Sequence, residues 1–337
     1  MDHSNVWAVV LAGGEGTRVR GFLKQLCGGS GLKQFSTIIG ERSMLRYTLD
    51  RVERLIPRDR ILIVVTAHHR EEADRQLAHW PRHNIIVQPA NRDTAPGILL
   101  PLAHISNRDP AASMVVFPSD HFVVEEERFM TAVANALRAL AKTPENMILL
   151  GIKPQPGEET EYGYIVGANG KPNGEAVPVT GFVEKPPLPQ AKQLIQRGAL
   201  WNAMVFAVHN AALWDMVQRT SPVLYHAFRL IQLGLRSGYP ERFIDHIYEA
   251  IPKVNFSSGI CEPLASRLRV LPVDDVGWSD WGTVGSIVRT MQKLGRLDAL
   301  AARVGEKQIE PLSHAALASA ARPPLSRTAI TTSPTGG

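Results

Sequence analysis

Cysteine is nearly absent. Cys27 and Cys261 are the only two in 337 residues, and neither stands in a CxxC or Cys/His cluster, which excludes a disulfide framework. That usage suits a reducing compartment, so the cytoplasm is the expected location. Long apolar runs are missing as well. The N-terminal run Val6–Ala12 is far short of the ~20 residues that a membrane helix needs. No basic segment precedes it and no small-residue cleavage site follows, so neither a membrane span nor a secretory leader is expected. No run of five or more Lys/Arg occurs, and basic residues are not interleaved with the few aromatics (7%) as a nucleic-acid groove requires. Nucleic acid is therefore not an expected partner. The net charge of +5 suits small anionic substrates.

What is present is ample apolar sequence, 44% of the chain, enough for a substantial core. The first 150 residues alternate buried strands (Val6–Ala12, Ile61–Thr66, Ile85–Gln88, Met114–Phe117, Met147–Ile152) with helical stretches (about 43–55, 70–79, 94–105 and 126–141). This pattern predicts a mostly parallel α/β sheet with helices on both faces, whose ligands sit beyond the carboxyl ends of the strands. From residue 153 Gly and Pro become dense. Short strands at Tyr164–Val166, Val177–Val183 and Val205–Val208 mix with helices near 190–196 and 211–219, which reads as an inserted subdomain for a second substrate. Leu268–Val273 returns to the sheet and residues 284–294 close it. A domain spanning 1–300 is expected, with an Ala/Pro/Ser/Thr-rich tail from 301 to 337 that is weakly ordered.

The first strand runs into Gly13-Gly-Glu-Gly-Thr-Arg18. A dinucleotide fingerprint fails because Val19 stands where GxGxxG needs its last glycine, and 28–34 does not fit a P-loop. Two readings remain: a phosphate cradle flanked by Arg18 and Lys33, or a structural glycine turn with surface bases. Pro118-Ser-Asp120-His121 follows another strand. Asp120 there is either a turn residue or a carboxylate for Mg2+, which takes one or two protein carboxylates and completes its shell with phosphates and water. Asp280, in Gly277-Trp-Ser-Asp-Trp-Gly282, supplies a second carboxylate. His121 reads as a packing or hydrogen-bonding neighbour. Glu184-Lys185-Pro186 at a rigid turn, Gly163 between Tyr162 and Tyr164, and Trp201-Asn202 each have plain structural readings: an ion pair, a bulge and a packed aromatic.

Taken in order, Leu11-Ala-Gly-Gly-Glu-Gly-Thr-Arg18, Lys33-Gln-Phe35, Asn91-Arg-Asp-Thr-Ala-Pro96, Pro118–His121, Tyr162-Gly-Tyr-Ile165, Phe182-Val-Glu-Lys-Pro186, Trp201-Asn202 and Gly277–Asp280 resemble the sugar-phosphate nucleotidyltransferases. The likeness is greatest to mannose-1-phosphate guanylyltransferases and runs over about residues 6 to 295. It implies a Rossmann-like, GT-A-type fold and the joining of a sugar 1-phosphate to an NTP with release of pyrophosphate. The substrates it points to are GTP and mannose 1-phosphate, with Mg2+ as cofactor. It further implies that Leu11, Ala12, Gly13, Gly14, Gly16 and Thr17, with Arg18 and Lys33, hold the nucleotide phosphates. Pro89, Asn91, Arg92 and Thr94 line the base pocket, and Asp120 and Asp280 carry the metal. Glu184 and Lys185 bind the sugar and its phosphate, while Gly163 and Asn202 contact the sugar. Arg18, Lys33, Asp120, Lys185 and Asp280 form the implied catalytic set.

Such chemistry needs no side-chain base. The attacking phosphate monoester has a second pKa near 6 and is already ionised at neutral pH, so positioning and electrostatics suffice. The chain departs from the family at Val19-Arg-Gly21, where Leu-Trp-Pro is common. It also carries an inserted Gly28–Gly31 segment, and Ser257 stands where an acidic residue is common. Another hexose 1-phosphate or NTP, or a non-catalytic sugar-nucleotide-binding paralogue, are the alternatives these departures motivate. Long relatives with a second catalytic domain exceed this length, so one reaction is expected. Self-association is left open.

Overall fold

Val9 and Val10 are consecutive residues of the first strand, and both are fully buried. Side chains of a strand alternate between faces, so each face of the sheet must be covered. Each fully buried aliphatic side chain of this kind contributes about 1.5–3 kcal/mol. The computed structural model describes residues 5–168 and 175–305. Its strands are β1 (Val6–Leu11), β2 (Ile61–Thr66), β3 (Ile85–Gln88), β4 (Ser113–Pro118), β5 (Met147–Ile152), β6 (Tyr164–Gly167), β7 (Val177–Val183), β8 (Leu200–His209) and β9 (Leu268–Val273). The helices are α1 (Thr17–Cys27), α2 (Met44–Val52), α3 (Arg70–Gln76), α4 (Thr94–Arg108), α5 (Glu126–Lys142), α6 (Leu188–Gln196), α7 (Asn210–Thr220), α8 (Pro222–Arg236), α9 (Glu241–Ala250), α10 (Val284–Lys293) and α11 (Leu297–Val304).

All nine strands join one sheet in the order β3-β2-β1-β4-β8-β5-β9-β7-β6, with β6 also pairing β8. Helices cover both faces, as expected. Ala8 and Val10 pack with Leu49, Val52, Phe129 and Val133 of α2 and α5. Trp7 and Val9 pack with Ile98, Leu102 and Phe228 of α4 and α8. A third cluster, around Val19, Leu23, Met44, Trp281, Ile287 and Leu300, joins α1 to α10 and α11.

The expectation of a mostly parallel sheet needs correction, because the sheet is mixed. β1, β2, β3 and β4 are parallel neighbours, as are β5 and β9. Yet β8 lies antiparallel between β4 and β5, and β7 is antiparallel to both β6 and β9. The cause is the antiparallel β6–β7 pair, which reverses the chain. A helical crossover preserves strand direction, so α6 then delivers β8 in the reversed sense. The region expected as an insertion therefore continues the main sheet and supplies a central strand.

Strand direction also decides where side chains converge. The carboxyl ends of β1, β2, β3, β4, β5 and β9 share one edge, and the start of β8 meets it, since Ile152 faces Trp201 and Gly151 faces Asn202. Tyr164 of β6 pairs with Trp201 and with Val183 at the end of β7. Helix α11 runs through Val304, and Arg303 donates to the Ile38 and Thr37 carbonyls at 2.9 and 3.0 Å. The helical chain thus extends past residue 300. The tail from 306 on lies outside the described residues.

Candidate active site

Past β1, the backbone of Ala12 and Gly14 is held by one buried side chain. The Gln34 amide nitrogen, Nε2, donates to both carbonyls, at 3.0 and 2.9 Å. Gly16 has φ 56°, a left-handed conformation that favours glycine, and it leads directly into α1 at Thr17. That helix has no side-chain cap and no acidic residue in its first turn, so its N–H groups and dipole face the loop unopposed, a ready anion site. Leu11, Ala12, Gly13 and Gly14 complete the path from strand to helix. Where the sequence predicts a continuous glycine-rich loop, the chain instead forms α1.

Lys33 stands at the start of a 3₁₀ turn and is only 5% exposed. Its Nζ lies 2.9 Å from Asp120 Oδ2 and also donates to the backbone carbonyl of Asp280. One buried ammonium thus joins the two aspartates singled out in the sequence. The segments carrying them are bonded as well: Phe122 N donates to Ser279 O at 2.8 Å and Ser279 N to Phe122 O at 3.0 Å. Burial alone would push the Asp120 carboxyl up, but the Lys33 charge, with hydrogen bonds, outweighs it and holds it below its ordinary value. Trp281 anchors Asp280. Its ring is fully buried, stacks on Phe122 at 4.4 Å and donates from Nε1 to Thr290 Oγ1 at 3.0 Å. His121 accepts from Trp278 Nε1 at Nδ1, 3.3 Å. Burial lowers its pKa to about 4 despite the opposing charges of Asp120 and Asp280, which makes it a neutral neighbour.

Tyr162 links this centre to the rest of the site. Its hydroxyl lies 2.6 Å from Asp280 Oδ1 and 2.8 Å from Glu158 Oε2, so its single proton serves one carboxylate at a time. The ring packs between Trp201 and Trp278, at 4.3 and 5.5 Å. Burial, and then the Asp280 and Glu158 charges, push its pKa far up, so it remains a phenol. Burial also raises Glu158, against the opposing charge of Arg289, with which it pairs. Arg18 is exposed and pairs with Glu161. Its Nη2 comes within 3.1 Å of the place a Cβ on Gly282 would take, as Asp280 Oδ2 does at 2.6 Å. The sequence gives no sign of the Glu158–Arg289 and Arg18–Glu161 pairs, whose members lie more than a hundred positions apart.

On the other side of Tyr162, the Gly163 carbonyl accepts from Asn202 N at 2.8 Å. A Cβ on Gly163 would lie 2.5 Å from Glu184 Oε2 and 3.2 Å from the Phe182 ring, so any larger residue displaces the Glu184 carboxylate. Asn202 is buried. Its Nδ2 donates to Ser257 Oγ at 3.3 Å, and its Oδ1 accepts from Met204 N at 3.0 Å. Ser257 also hydrogen-bonds Glu184, whose carboxyl is raised by burial with Lys185 and Ser257 opposing. Lys185 is exposed at φ 43°. Gly163, Glu184, Asn202 and Ser257 therefore meet, with Lys185 at their rim.

The 89–94 segment divides. Asp93 caps α4 through Thr94 N at 2.6 Å, Asn91 Oδ1 accepts from Asp93 N at 3.0 Å, and Thr94 Oγ1 accepts from Phe256 N at 2.8 Å. These bonds set Asn91 and Thr94 beside the Ser257 turn. Arg92 instead spends its guanidinium on the carbonyls of Tyr248 and Glu249, at 2.8 and 2.6 Å, fastening the loop to the end of α9. Pro89 follows Gln88, a buried amide whose Nε2 lies 3.0 Å from the Cβ position of Gly13 and whose Oε1 is 3.4 Å from the Tyr248 hydroxyl. Gln88 went unread as a site residue. Five non-glycine residues among those described have positive φ, and four of them, Asp93, Lys185, Met204 and Trp281, stand here. Such strain clusters at functional sites.

The sequence profile described as Nucleotidyl transferase matches residues 7–296. The xanthan biosynthesis protein XanB of Xanthomonas campestris pv. campestris is 30% identical over 300 residues, which are 88% of this chain and 62% of that protein. A mannose-1-phosphate guanylyltransferase of Escherichia coli K12 is 29% identical over 300 residues, 85% of this chain and 60% of its own length. The chain thus spans about three fifths of the curated relatives it matches. A crystal structure from Thermus thermophilus, described as a mannose-1-phosphate geranyltransferase, superposes with a TM-score of 0.74 at 29% identity, covering 85% of this chain and 79% of that one. No helix among the described residues is long and apolar enough to cross a membrane. With its profile matched across almost the whole described chain, this protein belongs to the nucleotidyl transferase family.

Proposed function

We propose that the chain is a Mg2+-dependent guanylyltransferase of GT-A-type architecture that joins GTP and mannose 1-phosphate to give GDP-mannose and pyrophosphate. The observation that carries this reading is the Lys33 ammonium held between the Asp120 carboxylate and the Asp280 backbone, beside a glycine loop that opens a helix. The metal fits the donors present: Asp120 is kept anionic, Asp280 lies on the adjoining bonded segment, and the Asp120 carboxylate and Asp280 backbone carbonyl already hold one cation, Lys33. Mg2+ bound to Asp120 and Asp280 would supply charge neutralisation at the nucleotide phosphates.

The remaining work falls to side chains and backbone. The loop amides through Gly16, the start of α1, Arg18 and Lys33 draw the triphosphate to the sheet edge. Gln88, Pro89, Asn91 and Thr94 border the space beside the loop where a base fits. Glu184, Asn202 and Gly163 face the sugar, with Lys185 reaching its phosphate. Tyr162 sets the distance between the two halves, because its hydroxyl meets Asp280 while the next residue forms the floor under Glu184. In-line attack by an already ionised phosphate then needs alignment and positive charge rather than proton removal.

The test is to incubate purified chain with GTP, mannose 1-phosphate and Mg2+ and to measure pyrophosphate. Release that is abolished by Asp120→Asn supports the proposal. Silence across a matrix of nucleotides and sugar 1-phosphates, with tight GDP-mannose binding retained, would instead mark a non-catalytic binder. Turnover with a different pair from that matrix keeps the chemistry and replaces the substrates. Ser257, in contact with both Asn202 and Glu184, is the position most able to shift the sugar choice.

A further inference from the structure

We propose that Glu15, His68 and His69 form a binding site for one divalent transition-metal ion, of the zinc type, at the tip of the glycine loop. The three ligand atoms lie within 4.8 Å of one another. His68 Nε2 is 2.7 Å from Glu15 Oε1 and His69 Nε2 is 3.7 Å from Glu15 Oε2. Zinc bound at about 2.0–2.2 Å by nitrogen and oxygen in a tetrahedron separates its ligands by about 3.4 Å. The arrangement therefore needs adjustments of no more than about 1.4 Å, and two histidines with one carboxylate make a known zinc set that leaves a fourth position open.

The two histidines are not equivalent, and the difference favours a metal over a simple ion pair. His68 is half exposed and held by Glu15 and by the edge of the His69 ring. His69 is buried, and its Nδ1 lies 2.9 Å from the hydroxyl of the fully buried Thr66. With the metal bound, Nδ1–H would donate to that hydroxyl and Nε2 would present its lone pair on the Glu15 side, the outer-sphere support that ligating histidines usually have. At 3.7 Å the Nε2–Oε2 pair is no hydrogen bond, so a carboxylate–imidazolium contact with His68 leaves His69 unexplained. Arg20 adds an opposing positive charge nearby. Imidazole ligands favour zinc and its neighbours over magnesium, so this site and the Asp120–Asp280 centre take different ions. Glu15 lies between Gly14 and Gly16, so an ion there ties the loop to the end of β2 and tunes nucleotide affinity. That consequence rests on the reading of the loop given above, whereas binding of the ion does not.

The experiment uses the full untagged chain, stripped with chelator and titrated with ZnCl2 by calorimetry in the presence of Mg2+. The expected result is one zinc per chain, weakened at least tenfold in His68→Ala and in Glu15→Gln, with unchanged circular dichroism. His68 is exposed, so its variant keeps the fold even where His69→Ala does not. Absence of stoichiometric zinc binding in the wild type, or binding that survives both His68→Ala and Glu15→Gln unchanged, overturns the proposal.

Discussion

Adding one methyl group at Gly163 separates the fold from the site. The new carbon would lie 2.5 Å from Glu184 Oε2 and 3.2–3.3 Å from two Phe182 ring atoms. Ordinary contact begins near 3.4 Å, so the carboxylate must retreat by about 0.9 Å and the ring by a few tenths. A carboxylate at the end of a flexible side chain swings away cheaply, whereas the packed ring resists. Overpacking of this kind costs typically about 1–3 kcal/mol, and the lower end applies because the larger displacement is borne by the mobile group. At roughly 2–4 °C per kcal/mol, Gly163→Ala should lower Tm by only a few degrees. Its effect on turnover is larger, because a misplacement of about 1 Å can cost on the order of 10²-fold. Pyrophosphate release should show KM for the sugar 1-phosphate rising at least tenfold while KM for the nucleotide stays within twofold. A folded Gly163→Ala protein with wild-type KM for the sugar phosphate would refute the assignment of Glu184 to that substrate.

Three further outcomes follow from the same geometry. Gly14→Ala meets nothing within 4 Å and should leave Tm unchanged, yet raise KM for the nucleotide if phosphates approach the loop backbone; an unchanged KM would return the loop to a structural turn. Tyr162→Phe removes the hydroxyl that meets Asp280 and Glu158, and should cost about 1–3 kcal/mol as a buried group loses its partner, read by thermal melts, together with a higher Mg2+ requirement in the turnover assay. His121 titrates near 4 in the folded chain against about 6.5 when unfolded, so between these values only the unfolded chain binds the proton. Its contribution to stability is complete above about pH 6.5 and is lost as pH falls toward 4, by up to about 3 kcal/mol. The pH dependence of the melting temperature should accordingly flatten in His121→Asn.

Ile61–Thr66 and Met147–Ile152, buried on both faces, take the bounds that their apolar runs predict, as do the partly buried Ile85–Gln88, Val177–Val183 and Leu268–Val273. β8 was half read, because Asn202 interrupts its apolar run and the backbone there serves the site. α1 was unread because Gly21 and the glycines from 28 to 31 mask an apolar stripe made only of Val19, Leu23 and Leu26. Direction within the sheet was misjudged because apolar runs say nothing about which neighbour a strand meets. Within the site, Asp120 and Asp280 are grouped by their places after strand-like runs and Lys33 by its place beside the glycine loop, and Lys33 joins the Asp120 carboxylate to the Asp280 backbone carbonyl. The Glu158–Arg289 and Tyr162–Asp280 bonds and the Asn202–Ser257–Glu184 contacts have no local signal, since each joins residues set together only by tertiary folding.

The position of β8 bears on how the chain is made. β4 is complete by residue 118, but the neighbour that saturates its outer edge arrives only with residues 200–209. During synthesis the amino-terminal strands can pair among themselves, while β4 and β5 each wait with a row of unpaired amides and carbonyls exposed. Closing such sequence-distant pairings is slow. The interval before β8 docks is therefore when a nascent chain of this protein is most open to capture by another, and a polypeptide cut short before residue 200 carries that vulnerability permanently.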